Sequence, residues 1–541
     1  MAYYDSLVLV RVEEGVDLPS QFTLHFYDPL VELFDARVFK VGVAITIGFR
    51  SGSSTVNVLE GEITAIALEQ GIGTRSEFVV SGFDKSHRLH RVASTRTFIN
   101  QTSSAIATTV ASTTGLTASV EATSEQHEYV VQTGQSDYAF LKALAHRIGY
   151  HFWASGSNLN FKKRPAESGS PITLNWQEDL MKVRVRASGL DRADEVTVRA
   201  WGATSKAAIT GSSTADDVSY VTASVKTNLA TDSASLGTAK RFATHVPVDT
   251  AGDATALANA MRVRHNAAGV ILRGEAIGDP NIGAGREVTI AGVASDVDGT
   301  YLLTNVEHVY DAEQGYITRF TSGGADGVEL PDLLMSGTSD GVTPGPSWGG
   351  LVPGVVTNVN DPNTMGRVKV KIPTLGDAVE SRWARVASPG GGPTRGLMLV
   401  PEVNDEVLVG FEFGDVNRPV ILGGLWNGTD AVPDTAAAAN GKVAKRVWQS
   451  RTGHKIVMDD DDSAPLITIE HKTGTTKLTL TNDGITVTSD KPVNVKGSDL
   501  TVEATGKLTL KGQSVEVKST SSMTLQASAD MTVKGSVIKL N

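Results

Sequence analysis

From Leu478 to Asn541 the chain returns again and again to two apolar residues separated by one polar residue. The pairs are Leu478/Leu480, Ile485/Val487, Val493/Val495, Leu500/Val502, Leu508/Leu510, Val515/Val517, Met523/Leu525, Met531/Val533 and Ile538/Leu540. Their first members step by 7, 8, 7, 8, 7, 8, 8 and 7 residues. Alternation within a pair is the period of a half-buried strand, and the Gly, Ser, Asp, Lys and Thr between pairs supply turns. The pattern predicts a ladder of nine very short strands.

Such a ladder is not stable alone, because each strand offers two apolar side chains to a core and leaves backbone groups in need of partners on both sides. Stacking satisfies both, and a thin stack is better buried when several chains wind round one axis. The ladder therefore reads as one third of a trimeric β-prism or triple-stranded β-helix. The pairs from Leu478/Leu480 to Met531/Val533 form the trimer core of that rod. Nine layers at about 4.8 Å make it about 40 Å long. A β-solenoid within one chain and a flat meander are the alternatives.

Upstream, residues 1–95 alternate like a barrel, with Leu7 and Leu9, Phe22, Leu24 and Phe26, Val43, Ile45 and Ile47, Ile63 and Ile66, then Phe78 and Val80. The SGSS run at 51–54 marks a hairpin tip. An α/β insert follows over 96–180. Its first helix runs from Ser103 to Thr114 and stops at Gly115. The second starts at Ser136 as N-cap, carries Phe140, Leu141, Leu144, Ala145 and Ile148 on one face, and stops at Gly149. Strands resume over 181–335 as a second barrel, including one at Tyr220 to Val225, with a further helix from Ala254 to Asn266. Residues 336–347 form a Gly/Ser/Pro-rich linker.

The stretch 348–428 is compact and all β, and five or six strands in eighty residues suggest a closed OB-type barrel. A hairpin is expected at 397–415, and Arg367, Lys369 and Lys371 alternate outward. A second linker spans 429–446, and the spike occupies 447–541, beginning with a strand pair between Trp448 and Glu470. The fold class is thus mainly β: two hub barrels with an α/β insert, an OB-fold, and the trimeric prism.

Composition narrows the function. The 541 residues include 54 Gly and only 6% aromatics, which suits short strands and tight turns. A net charge of -11 argues against a nucleic-acid partner. There is no cysteine, so disulfides and thiolate metal sites are excluded. The N-terminus MAYYDSLVLVRVEEG has no basic region followed by an apolar run, and no stretch approaches the roughly 20 apolar residues of a membrane span. Assembly in the cytoplasm without a signal peptide is the expectation.

Nothing invites catalysis. G-x-S-x-G, Walker A, G-x-G-x-x-G and HExxH are all absent, and His127-Glu128 lacks the second His. No catalytic, cofactor or metal residue is therefore expected. His146 and His151 read as packing or surface residues, and the acidic run 459–462 as a solvated turn without EF-hand spacing.

Four segments carry a family resemblance: QTGQSDYAFLKALAHRIGYHFW at 132–153, the blocks GRVKVKIP, SRWARVASP, GLMLVPEVNDEVLVGFEFGD and RPVILGGLWNG of the OB unit, RTGHKIVMDDDD at 451–462, and the ladder. In this order they resemble the VgrG-like spike proteins of contractile injection systems, with hub and spike fused in one chain. The resemblance implies a structural homotrimer. Its hub would seat an Hcp-like inner tube and meet baseplate proteins, its needle would puncture a target membrane on firing, and the particle would be translocated or extracellular. It also implies a PAAR-type tip protein bound at Ile538, Lys539, Leu540 and Asn541. A phage-tail-like particle is the expected setting. The alternatives are a type VI VgrG or phage tail hub-spike, a glycan-binding tail fibre, and a spike with hydrolase activity. Two departures from some phage spikes stand out: the 429–446 linker has no room for a lysozyme domain, and no His follows His471.

Overall fold

The computed structural model describes residues 3–72, 76–165, 169–190, 192–216, 219–324, 349–376, 379–439 and 441–539. The expected linker at 336–347, Trp348, and the tip residues Leu540 and Asn541 lie outside the described residues. The chain divides into two compact units, Met1–Asn427 and Gly428–Asn541.

In the first unit, eleven strands join one sheet. Leu7–Gly15, Gln21–Tyr27, Ala44–Ser51, Ser54–Gln70 and Ser76–Asp84 wrap a core that includes Phe22, Leu24, Phe26, Ile47 and Phe78. Burial in Ser76–Asp84 alternates residue by residue, the period-2 signature of one wet and one dry face. Ile172–Asn175, Leu180–Ala187, Val270–Ile277, Glu287–Ala291, Gly299–Asp311 and Gly315–Ser322 enclose a separate core around Leu180, Leu272, Val288 and Tyr301. The groups expected as two barrels thus keep two cores but share one hydrogen-bonded sheet. The joint is Leu7–Gly15 antiparallel to Gly299–Asp311, with Val12 opposite His308.

Each group carries an α/β block. The first contains helices Ser103–Thr113 and Asp137–Ile148. Ser136 caps the latter by accepting from the Ala139 amide at 3.2 Å, and Gly149 ends it in the left-handed region at φ 71°. The expected face is buried at Phe140, Leu141, Leu144 and Ala145. The second block packs helix Ala251–Ala267 on strands Glu195–Gly202, Ala207–Ser213 and Lys240–Ala243 around its own core. Sequence patterning merged it into the second barrel because the helix buries mainly small residues, Ala254, Ala258 and Ala260 beside Leu257 and Met261. The strand expected at Tyr220 to Val225 is not one. Val221 makes a single bridge to Tyr301, and helix Ser224–Ser233 begins three residues later. Tyr220, Val221 and Ala223 are apolar because they plug the second core ahead of that helix.

The OB unit is a five-stranded sheet of Val352–Asn358, Lys369–Lys371, Arg385–Val386, Glu406–Phe411 and Pro419–Gly424, filled by Val356, Val370, Val407, Val409 and Ile421. The hairpin expected at 397–415 has only its second strand. Residues 402–405 form a tight turn, in which the Asp405 carboxylate accepts from the Glu402 amide and the Asp405 amide donates to the Glu402 carbonyl. The basic row is also not a free face. Arg367 is buried, and its guanidinium donates twice to Asp361 at 2.7 and 3.1 Å. Lys369 pairs with Glu380 at 2.9 Å and lies 5.5 Å from the Trp383 ring.

Hydrogen bonds from Arg367, then from the Asn363 and Met365 amides, hold the Asp361 carboxyl far below the ordinary carboxylate range despite its burial. A depressed folded-state pKa stabilises the fold above the unfolded value and loses that contribution as pH falls. Asp361→Asn is expected to cost the OB unit about 2 kcal/mol at pH 7, with the difference from the parent closing below about pH 4. Urea unfolding followed by tryptophan fluorescence at several pH values checks both parts.

Candidate functional site

The second unit opens with a meander of Lys445–Gln449, Lys455–Asp459, Leu466–Glu470, Lys477–Thr481 and Gly484–Thr488, each antiparallel to the next. Its register lines up two transverse apolar rows on one face. Trp448, Ile456, Ile469, Leu478 and Val487 are successive cross-strand partners, and so are Met458, Ile467, Leu480 and Ile485. Much of this face is bare in the single chain, with Trp448 50% and Ile485 71% exposed. The row between them on the opposite face reads Val447, Val457, Thr468, Thr479 and Thr486.

Beyond Thr488 the path changes. Bends recur at 490–491, 498–499, 505–506, 513–514, 520–521, 528–529 and 536–537, a step of seven or eight residues. One apolar pair falls between each bend and the next, from Val493/Val495 to Met531/Val533. Among the described residues none from 489 to 539 belongs to a strand ladder, and the twelve apolar side chains of these pairs are 48–75% exposed. The backbone therefore keeps the ladder's pitch without a strand partner among the described residues.

The core expected from the sequence is not buried within one chain. Of its sixteen residues only Leu478 and Leu480 are half-buried, by the strands on either side of them in the meander. Ile485 and Val487, on the last meander strand, are exposed. So are both members of every later pair: Val493 and Val495, Leu500 and Val502, Leu508 and Leu510, Val515 and Val517, Met523 and Leu525, Met531 and Val533. The physical reason is geometric. A segment with two apolar side chains between bends is too short to fold back on itself, and among the described residues no opposing layer packs against it. Ile538 and Lys539 are exposed as well.

The structure adds Trp448, Ile456, Met458, Ile467 and Ile469 to the same apolar face. Their alternation was visible in the sequence, but loops of unequal length between them break the seven-to-eight-residue step. The acidic run is a structural turn: Asp459 faces Lys445, Asp460 pairs with Arg446 and Asp462 with Lys442 at 2.8 Å. Asp461 accepts from the Ser463 hydroxyl and from the Ser463 and Ala464 amides, which lower its pKa.

A second candidate lies in the first unit, where the OB barrel docks on the hub. Val131 and Tyr129 of the first insert enter the OB core, and the Val131 amide donates to the Asn417 side chain at 2.8 Å. Around this contact Asp249 pairs with Arg418 at 2.8 Å and with Arg382 at 3.2 Å, while Arg382 also reaches Glu128 at 3.0 Å. Burial favours the neutral form of Asp249, yet Arg418, Arg382 and Arg147 together hold its pKa below the ordinary value. No local motif announces this cluster, since Asp249 and Arg382 are 133 residues apart.

The two histidines take structural roles. His151 bridges the Asp17 carboxylate at 2.7 Å and the Tyr220 hydroxyl at 2.6 Å, tying three segments together. Burial, with Arg264 nearby, pushes His146 down to about 4. Among the described residues no helix is long and apolar enough to cross a membrane, and no three His, Asp or Glu side chains cluster to hold a metal.

Residues 352–426 match the family model described as the type VI secretion system/phage-baseplate injector OB domain. Residues 28–311, just over half of the chain, match the Alg8 N-terminal domain. A type VI secretion system spike protein, VgrG5 of Pseudomonas aeruginosa, is 44% identical over 72 residues, 13% of this chain and 9% of that protein. VgrG3 of Vibrio cholerae, also a type VI spike protein, is 36% identical over 75 residues, 13% of this chain and 7% of that protein. The chain thus aligns with less than a tenth of the length of these curated relatives. An Escherichia coli type VI secretion component, described as structurally similar to the T4 bacteriophage tail proteins gp27 and gp5, superposes with a TM-score of 0.51 at 15% identity. That match covers 78% of this chain and 97% of the other, and it shows a shared fold.

The junction yields a prediction. Asp249 is about half exposed, so solvent screens its pairs, and Arg382 and Arg418 keep Glu128 and Asp415 as partners. Asp249→Ala is expected to cost about 1–2 kcal/mol rather than the 3–5 of a fully buried pair. Hydrogen exchange should rise at 128–131 and 415–418 in the variant, while the hub strands stay protected.

Proposed function

Because this chain belongs to the family of the Alg8 N-terminal domain and is a VgrG-like structural spike protein, we propose that three copies form the central hub and spike of a contractile injection system. The observation that carries this reading is the apolar face of the second unit, continued by the regular bends beyond it. Two copies of the same pattern, laid beside the first, supply both the apolar cover and the backbone partners that one chain lacks. The burial is large: each Val, Leu or Ile moved from exposed to buried contributes about 1.5–3 kcal/mol, and the face and ladder hold about twenty such residues per chain.

The rest of the chain fits a mechanical role without catalysis. The paired sheet groups of the hub, tripled, present six similar surfaces on which a sixfold inner tube of Hcp type can seat, with baseplate proteins around it. The docked OB barrel stiffens the hub, and the needle, stapled by three sets of strands, punctures the target membrane when the sheath contracts. Ile538, Lys539, Leu540 and Asn541 bind a PAAR-type tip protein. The phage-tail-like particle remains the preferred setting. A type VI spike is the second reading, favoured by the curated relatives of the OB blocks.

Three results follow. Light scattering on the intact protein should give three times 57.0 kDa. Leu480→Asp places a charge in the centre of the apolar face and should yield monomer or aggregate in place of trimer; a soluble trimer of unchanged melting temperature contradicts the core assignment. Deleting 536–541 should leave the trimer intact and abolish retention of a PAAR-type protein, so continued co-purification with one would refute the tip assignment.

A further inference from the structure

The wet face of the large hub sheet is a concavity of about 660 Å³ lined largely by charged side chains. One transverse row across it is paired from its second residue onward. From strand to strand it reads Lys182, Glu275, Arg319, Glu307, Glu13 and Gln21. Arg319 pairs with Glu275 at 3.0 Å and Glu307 at 3.1 Å, Arg11 with Glu307 at 3.1 Å, and Gln21 donates to Glu13 at 2.6 Å. Every acid of the row that faces the concavity has a partner.

The neighbouring row is different. Arg184 stands directly opposite Arg273, followed by Thr321 and Asn305. Like charges directly opposite each other on one sheet face repel, and the next residues in that row, Thr321 and Asn305, are neutral. Both arginines are exposed, and among the described residues no carboxylate pairs with Lys182, Arg184 or Arg273. All three line the concavity.

The backbone at this corner is also incomplete. Leu180–Ala187, which carries Lys182 and Arg184, ends the main path of the sheet: among the described residues it pairs with Val270–Ile277 on one side and, apart from a single bridge from Leu180 to Trp176, with no strand on the other. Its opposite face is anchored, since Val183 and Val185 pack on the second core. Beyond Leu180, whose carbonyl accepts from the Gln177 amide, this strand thus offers an edge without a strand partner among the described residues, beside three cations that make no ion pair. Lys182 and Arg184 are two residues apart and so share a face, about 7 Å from each other along the strand.

We propose that this edge is a docking site for an extended acidic segment of a partner protein, added to the sheet as a strand along Leu180–Ala187. Main-chain hydrogen bonds to the edge hold the segment, and carboxylates at alternate positions meet Lys182, Arg184 and Arg273. The inference stands on the hub alone and does not require the trimer, so either can fail without the other.

Fluorescence anisotropy on the full-length protein tests it, with a labelled peptide of alternating Glu and Val matching the eight-residue strand. Binding is expected, weakening with salt and falling by about tenfold or more in Arg184→Glu/Arg273→Glu. The same peptide with a central proline, which removes an amide donor and breaks strand addition, should bind markedly more weakly. If the charge reversal disturbs folding, as judged by circular dichroism, Arg184→Gln/Arg273→Gln serves in its place with a smaller loss. Absence of binding at millimolar peptide overturns the proposal, and is what a merely protective edge charge produces. So does equal affinity in parent and variants. Equal binding of the proline peptide overturns strand addition.

Discussion

An apolar sheet face that its own chain leaves uncovered is the constraint on which the second unit depends. Two rows running from Trp448 to Val487 present their side chains to solvent, and the ladder beyond them adds unpaired backbone to the same deficit. Neither deficit is repaired by local folding, because a segment of six or so residues between bends is too short to fold back on itself with a core. Neighbours carrying the same pattern at the same pitch, as proposed, would repair both. One repeat runs through the ladder, in which Thr486, Thr501, Thr509, Thr524 and Thr532 occupy the exposed position between apolar neighbours.

The first unit works by other means. Its cores close within the chain, and its OB barrel is attached by a mixture of apolar and ionic contacts. Burying Val131 against the barrel contributes about 1.5–3 kcal/mol, whereas the half-exposed Asp249 cluster contributes about 1–2 after screening. The apolar contact therefore carries the attachment, and the ionic cluster fixes its orientation. Ionic contacts alone would weaken with salt.

Patterns with a short period were legible in the sequence. The ladder, the helix from Ser136 to Gly149 and the OB barrel each rest on spacing of two or 3.6 residues, with Ser or Gly at the ends. The pitch of the ladder was legible, but burial of its pairs was not a property of one chain: Val495, Val502, Leu510, Val517 and Leu525 stay exposed there with their partners. What escaped depended on distance along the chain or on small side chains. Helix Ala251–Ala267 was legible from Ala254 to Asn266, but not that it anchors a block with its own core. Tyr220 and Val221 look like a strand but serve as a plug. Arg367 alternates with an outward row yet turns back to Asp361, because a loop acid six residues earlier is a closer partner than solvent. The pairing of the two hub groups into one sheet, the Asp249 cluster and the Arg184/Arg273 corner exist only once strands far apart along the chain are brought into register.

The central claim is that residues 489–539 are strands whose partners belong to other copies of the chain. Hydrogen–deuterium exchange on the native assembly reads this directly, amide by amide. The account predicts slow exchange across the ladder, comparable to the meander strands that precede it, with faster exchange confined to the bends near 498–499, 513–514 and 528–529. Exchange at the rate of an unstructured peptide throughout 489–539 in the intact protein would contradict it.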